Sequence, residues 1–198
     1  MRSDPMCDRA NNGQRVNADA TKADAAGGLA NVFVEVEGAL PDSPVPTNPV
    51  IIDQRGCVYR PRVVGLRAGQ PLEVRNSDDG LHNVHGASKG DDGFNVSQPM
   101  AGMTNVFHPR HPGMLQLKCD VHTWMVAYVG VVEHPFYAVT SDDGTFRIGD
   151  VPVGAYSLRV WHEVLGEMRS PVKVDAGAAA NVGIVFDADS HRQDGPGL

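Results

Sequence analysis

The chain has 198 residues and a formal net charge of −7 at pH 7. That length allows one substantial hydrophobic core or two small ones, and no apolar stretch is long enough to cross a bilayer. The acidic balance argues against a nucleic-acid-binding surface, which would concentrate Lys and Arg, and predicts that any charge-steered partner is basic.

The N-terminal segment carries the first of three cysteines, Cys7, Cys57 and Cys119. Their wide spacing matches no paired-cysteine zinc pattern. Cys119 has chemically reactive neighbours. Cys7 and Cys57 remain open to two interpretations: a disulfide that tethers the N-terminal arm, or two isolated buried thiols. The first residues lack the apolar core of a secretion signal.

Alternation of apolar and polar residues with a period of two, bounded by Gly, Pro and Asp, predicts an all-β fold. The first strand alternates over residues 32–37, and a proline-rich connector follows at 41–49. Further strands are predicted at residues 58–65, 71–76, 81–85, 104–108, 114–119 and 127–132. Residues 87–103 show no alternation, which predicts a long surface loop.

A second series of strands is predicted after His134, separated by Asp-Gly and Pro-Gly turns. These strands carry, in order, Phe146 and Ile148, then Tyr156, Leu158 and Val160, then Val172 and Val174, and finally Val182, Ile184 and Phe186. The tail from 187 to 198 is polar and contains Gly and Pro, so it is predicted to be disordered.

Two segments, GGLANVFVEVEG and VTSDDGTFRIGDVPVGAYSLRV, resemble strands of the carboxypeptidase regulatory-like (transthyretin-like) sandwich. The resemblance implies a discontinuous domain of this kind, formed by residues 1–40 and 133–188. Residues 41–132 would be a second domain inserted between its parts, and residues 189–198 the disordered tail.

The most informative stretch is KCDVHTWM, which contains Cys119, His122 and Met125 in the pattern C-x2-H-x2-M. Upstream, GLHNVHG offers His82 and His85, which point to opposite faces of a regular strand, so only one of them can join the same site. Two imidazoles, a thiolate and a weak thioether form the trigonal ligand set that holds copper for electron transfer.

GLHNV and CDVHTWM resemble the ligand segments of the cupredoxins, the small blue copper proteins, with an amicyanin-like or plastocyanin-like ligand loop. The resemblance covers residues 48–133 and implies a Greek-key β-sandwich that holds one type 1 copper ion. It assigns the ligands as His82, Cys119, His122 and Met125. It also implies that Asn83 joins the two ligand segments and donates its backbone N–H to the Cys119 sulfur, and that the His122 ring edge lies at the surface.

The leading hypothesis is therefore a periplasmic or extracytoplasmic electron carrier with a redox partner protein and no enzymatic activity. Copper storage or delivery is the alternative, with Met100, Met103 and Met114 as additional ligands. An enzyme with a second, catalytic copper would need a further His-x-His pair, which does not accompany this loop. A hydrolase that uses Cys119 and His122 as nucleophile and base would need a third group to orient them, and none is evident. His85, His108, His111, His134 and His162 are expected to lie outside the site. The Asp pairs at 78/79, 91/92 and 142/143 are interpreted as turn formers.

Overall fold

The computed structural model describes residues 4–13, 21–88, 90 and 92–186. Within them the chain forms one short helix and thirteen strands. In chain order these are α1 (Pro5–Ala10), β1 (Phe33–Glu37), β2 (Val50–Gln54), β3 (Tyr59–Arg60), β4 (Val63–Arg67), β5 (Leu72–Asn76), β6 (His82–Ala87), β7 (Phe94–Gln98), β8 (Thr104–Phe107), β9 (Gly113–Lys118), β10 (Val126–Val132), β11 (Tyr137–Val139), β12 (Gly154–His162) and β13 (Gly166–Val174). The all-β prediction is confirmed.

The chain divides into two compact units, which here comprise the described residues of 4–13 with 45–133, and of 21–44 with 134–186. The resemblance of the sequence to the transthyretin-like sandwich predicts that all of residues 1–40 belong to the second unit. Helix α1 instead belongs to the first unit, because Cys7 is bonded to Cys57. The predicted disordered tail, 189–198, lies outside the described residues.

The first unit is a β-sandwich of two sheets, ordered β4-β10-β9-β6-β7 and β3-β2-β5-β8. Alternate side chains of both sheets point into one core, as the period of two requires. The fully buried members are Ile52, Leu66, Leu72, Val74, Val84, Leu115, Leu117, Ala127, Val129 and Val131. Burying each Val, Leu or Ile side chain of this set contributes roughly 1.5–3 kcal/mol.

Two strands of this unit were missed. Residues 87–103 are not one long loop, because β7 pairs with β6 from Gln98 opposite His82 to Phe94 opposite Gly86. The last residue of β7, Gln98, is fully buried, and its side-chain amide donates a hydrogen bond to the backbone carbonyl of Val74. Because this buried residue is polar, the segment lacks the apolar–polar alternation from which strands are predicted. Strand β2 follows directly on the proline-rich connector and pairs in parallel with β5.

The second unit contains one four-stranded sheet, ordered β11-β1-β12-β13. Its core consists of Val32, Val34, Val36, Phe136, Leu158 and Val160. The prediction of strands around Phe146 and Ile148, and around Val182, Ile184 and Phe186, is wrong. These segments pack their apolar side chains on the core, but neither forms a ladder in the part of the chain that is described.

The turn after β11 depends on the carboxylate of Asp143. This carboxylate accepts hydrogen bonds from the Ser141 hydroxyl and from the Thr145 backbone and hydroxyl. The hydrogen bond from Ser141, followed by those from Thr145, lowers the pKa of Asp143 to about 2. The carbonyl of Asp143 also lies so close to Gly28 that a Cβ at that position would collide with it.

We expect Asp143→Ala to lower the melting temperature at neutral pH. A depressed folded-state pKa contributes stability that is fully present above the unfolded value of 3.8 and is lost as pH falls through about 2. The deficit of the variant should therefore shrink as pH falls below about 4. Thermal unfolding followed from neutral to acidic pH measures it, with Asp142→Ala as the control. A deficit that is the same at every pH would contradict this role of the carboxylate.

Candidate metal centre

The register of the first unit brings the ends of three strands to one edge of the sandwich. Strands β6 and β9 are antiparallel, with His85 opposite Lys118, so the start of β6 lies beside the end of β9. Strand β10 begins at the same edge, since Val126 pairs with Lys118. His82 opens β6, Cys119 follows β9, and Met125 precedes β10.

The loop between β9 and β10 is closed by its own backbone. The N–H of Cys119 donates to the carbonyl of Met125 at 3.1 Å, and the N–H of Met125 donates to the carbonyl of His122 at 2.8 Å. This closure turns the C-x2-H-x2-M spacing into a tight loop whose functional side chains point inwards. All are buried: Cys119 is 2%, His122 3% and Met125 1% exposed.

His82, Cys119 and His122 converge on one point. The two Nδ1 atoms are 3.0 Å apart, and the Cys119 sulfur lies 4.0 Å from Nδ1 of His82 and 3.9 Å from Nδ1 of His122. Metal bonds of about 2.0 Å to nitrogen and 2.3 Å to sulfur separate neighbouring ligand atoms by roughly 3–4 Å. The structure therefore places three of the four sequence-predicted site residues at ligand spacing. Met125 is also buried, and its backbone is hydrogen-bonded to those of Cys119 and His122.

Asp78 orients the ring of His82. Nε2 of His82 lies 3.0 Å from the carboxylate of Asp78, and we assign a proton to Nε2, so that Nδ1 faces the shared point. Burial lowers the pKa of His82, but the hydrogen bond to Asp78 and the proximity of Cys119 outweigh burial and raise it to about 9. For His122, burial and the charge of His82 lower the pKa.

The surroundings of Cys119 favour the thiolate form of its side chain. Burial raises the pKa of the thiol, but hydrogen bonds from His82 and from the backbone N–H of Asn83 and of two residues of its own loop lower it overall. The side chain of Asn83 accepts from the N–H of Asp120 at 2.7 Å and donates to its carboxylate at 2.9 Å. The expected role of Asn83, joining the two ligand segments, is therefore seen in these hydrogen bonds.

Sequence reasoning missed Asp78, which was interpreted only as a turn former. Its carboxylate holds His82 and also accepts from the backbone N–H of Gly56 at 2.7 Å and of Cys57 at 2.8 Å. Asp78 thereby connects a proposed ligand to the loop that carries the disulfide. Its position four residues before His82 was the only signal available in the sequence.

A second missed residue is Tyr59, whose hydroxyl donates to the carbonyl of Asn83 at 3.1 Å and approaches that of Lys118 at 3.3 Å. Burial, with the nearby charges of Cys119 and Asp120, raises the pKa of this phenol. A neutral, buried hydroxyl thus links the backbone at the start of β6 with the backbone at the end of β9.

The expectation that the His122 ring edge lies at the surface is wrong. Helix α1 sits over this end of the unit, and its N-cap residue Asp4 has a carboxylate oxygen 3.7 Å from Nε2 of His122. Of the two interpretations of Cys7 and Cys57, the disulfide is the one that the structure shows, with 5.5 Å between the two Cα atoms. Trp124 packs 5.2 Å from the His122 ring, and its Nε1 donates to the carbonyl of Cys57.

His85 lies outside the centre, as alternation predicted. Its Nδ1 is 3.1 Å from the carboxylate of Asp120, and the pair is partly exposed to solvent. His111 pairs with Asp92 at 3.2 Å, away from the centre. His162 is buried in the second unit, where its Nδ1 accepts backbone N–H bonds from Val164 and Leu165.

No known protein family profile matches the chain, and no curated protein matches it. Among solved structures, it is similar to the copper-containing nitrite reductase of Thermus scotoductus SA-01, with 20% identity over 49% of this chain and a TM-score of 0.41, but it spans only 25% of that enzyme. It is also similar to a purple cupredoxin of Nitrosopumilus maritimus, with 19% identity, 41% of this chain, 98% of the other and a TM-score of 0.37. It is likewise similar to the Cu(I) form of an amicyanin mutant, with 16% identity over 50% of this chain and 98% of the other, and a TM-score of 0.38.

Proposed function

We propose that this protein is an electron carrier that binds one type 1 copper ion through His82, Cys119, His122 and Met125. The observation that carries this proposal is the convergence of two imidazole Nδ1 atoms and one thiol, 3.0–4.0 Å apart, in a buried pocket. In such a set, copper supplies a one-electron change between Cu(I) and Cu(II).

The residues of the chain favour rapid electron exchange by keeping the donors fixed. Asp78 holds His82 in one tautomer, and Asn83 keeps the segment of Cys119 against β6. The loop from 119 to 125 is closed by backbone hydrogen bonds on both sides of Met125. Because soft sulfur and borderline nitrogen donors serve both oxidation states, a rigid set needs little rearrangement when the electron moves.

The alternative, copper storage or delivery, is less well supported. A delivery protein must release its metal to a competing ligand, whereas the proposed donors are at most 3% exposed. In the described part of the chain, the three groups of His, Cys and Asp that could hold a metal ion all lie at this one end of the first unit. This clustering does not favour a separate catalytic copper, so we propose no enzymatic activity.

The proposed location is periplasmic or extracytoplasmic. The Cys7–Cys57 disulfide supports it, since disulfides persist in oxidising compartments. No helix of the described residues has the length and apolar character needed to span a membrane. With a net charge of −7, the redox partner is expected to be a basic protein. For the second unit we propose a carboxypeptidase regulatory-like module that mediates interactions or adds stability.

Adding Cu(II) to the purified metal-free protein tests the proposal. We expect one equivalent to bind and to produce an intense visible thiolate-to-copper band with a type 1 EPR signal. Cys119→Ser should abolish both, because the thiolate is the source of the band, while His85→Asn should leave both intact. A colourless complex, or a band that survives in Cys119→Ser, would overturn the assignment.

A further inference from the structure

The disulfide is part of the cover over the proposed metal centre. Met6 and Cys7 belong to α1, which Asp4 caps by accepting their backbone N–H groups. Asn11 fastens the other end of the helix, since its side-chain amide donates to the carbonyls of Cys7 and Gly56. Cys7 is 1% and Cys57 0% exposed, so the two sulfurs are enclosed beneath this helix.

Several soft or borderline donor atoms lie close together around the Cys7–Cys57 disulfide. The sulfurs of Cys7 and Cys57 and an imidazole nitrogen of His122 all lie within 4.8 Å of one another. The thioether of Met6 lies 3.7 Å from the Cys57 sulfur. Thiolates and thioethers select Cu(I), and imidazole is a compatible third ligand. While the two cysteine sulfurs are bonded to each other, neither is a thiolate that could bind a metal.

An independent observation concerns the far side of the His122 ring. Its Nδ1 faces His82, whereas its Nε2 is buried and has no hydrogen-bond partner. Asp4, at 3.7 Å, is too far for a hydrogen bond. In the neutral tautomer that carries its proton on Nδ1, Nε2 of His122 holds a lone pair. A buried nitrogen without a partner on the side of α1 is the feature that a metal would satisfy.

We infer that reduction of the Cys7–Cys57 disulfide creates a second ligand set, for Cu(I), from Cys7, Cys57 and His122. A dithiol reductant supplies two electrons and two protons, so the S–S bond breaks, two thiols form and the reductant becomes a disulfide. Cu(I) then displaces the two thiol protons, binds both sulfurs and Nε2, and keeps its oxidation state. This set binds while the first centre is empty, and it does not require that centre to hold copper.

The experiment uses full-length Cys119→Ser, in which the first centre has lost its thiolate. One sample keeps the disulfide, and the other is reduced with a dithiol that is then removed without oxygen. Each is titrated with Cu(I) against a coloured Cu(I) chelator. We expect the reduced form to take one equivalent from the chelator with an ultraviolet thiolate-to-Cu(I) band, and the oxidised form to compete at least about tenfold less well.

Matched variants identify the ligands. In the reduced Cys119→Ser background, adding His122→Asn should weaken Cu(I) binding by about tenfold or more, while adding His85→Asn should not. Equal Cu(I) uptake by the oxidised and reduced forms would overturn the inference. Uptake by the reduced form that is insensitive to His122→Asn would also overturn it, because a flexible dithiol would then be the binder. Neither result bears on the copper site of the wild-type protein.

Discussion

Asp78→Asn is expected to weaken copper binding by about 10- to 100-fold, as is typical when the partner of a metal-bound histidine is lost. The carboxylate serves His82 and two backbone N–H groups of the disulfide loop at once. An amide has one acceptor oxygen and a donor group in place of the second, so it cannot satisfy all three donors. His82 would then lose both its fixed tautomer and its orientation.

The exposed neighbour Asp79 provides the control, since Asp79→Asn changes the same charge in the same turn. Competition titrations with a copper chelator, carried out on both variants and the wild type, measure the effect. We also expect Asp78→Asn to lower the free energy of unfolding by about 1–3 kcal/mol, because buried donors lose their acceptor. Equal copper affinities for the two variants would show that Asp78 is merely a turn residue.

Removal of the disulfide is expected to have the largest effect on stability. The bond joins residues 50 positions apart, and loop closure of that length predicts that Cys7→Ser/Cys57→Ser lowers the free energy of unfolding by about 4 kcal/mol. The double variant avoids a lone reactive thiol. Helix α1 has only six residues, too few to be stable alone, so its cover over His122 should loosen as well.

Urea denaturation of metal-free protein measures this change, with dithiol-reduced wild type as the matched comparison. The reduced wild type and the double variant should lose similar stability. In the variant, Cys119 should also react faster with iodoacetamide, because the helix no longer encloses the centre. A loss below about 1 kcal/mol together with unchanged alkylation would mean that other contacts hold the arm in place.

The convergence of His82, Cys119 and His122 was predictable from the sequence because most of its signals are local. Cys119, His122 and Met125 lie in one short loop, and alternation along β6 decides between His82 and His85. The fold class was predictable for the same reason, since a period of two is visible within each strand. Strand β12, with Tyr156, Leu158 and Val160 at every second position, shows this well.

Features that depend on distant contacts were not predictable. Helix α1 is too short for apolar periodicity, and it is held by the bond to Cys57 and by the cap at Asp4. The burial of His122 follows from the same segment, more than a hundred positions away in the chain. Asp78 has the sequence context of any turn aspartate, and only the folded chain brings Gly56, Cys57 and His82 to its carboxylate.

X-ray absorption at the copper edge of the loaded wild-type protein measures the proposed ligand set itself. We expect one short copper–sulfur distance and two copper–nitrogen distances from imidazole, with the short sulfur distance lost in Cys119→Ser and one nitrogen contribution lost in His82→Ala. A copper environment of nitrogen and oxygen alone, unchanged in both variants, would contradict the proposed ligand set.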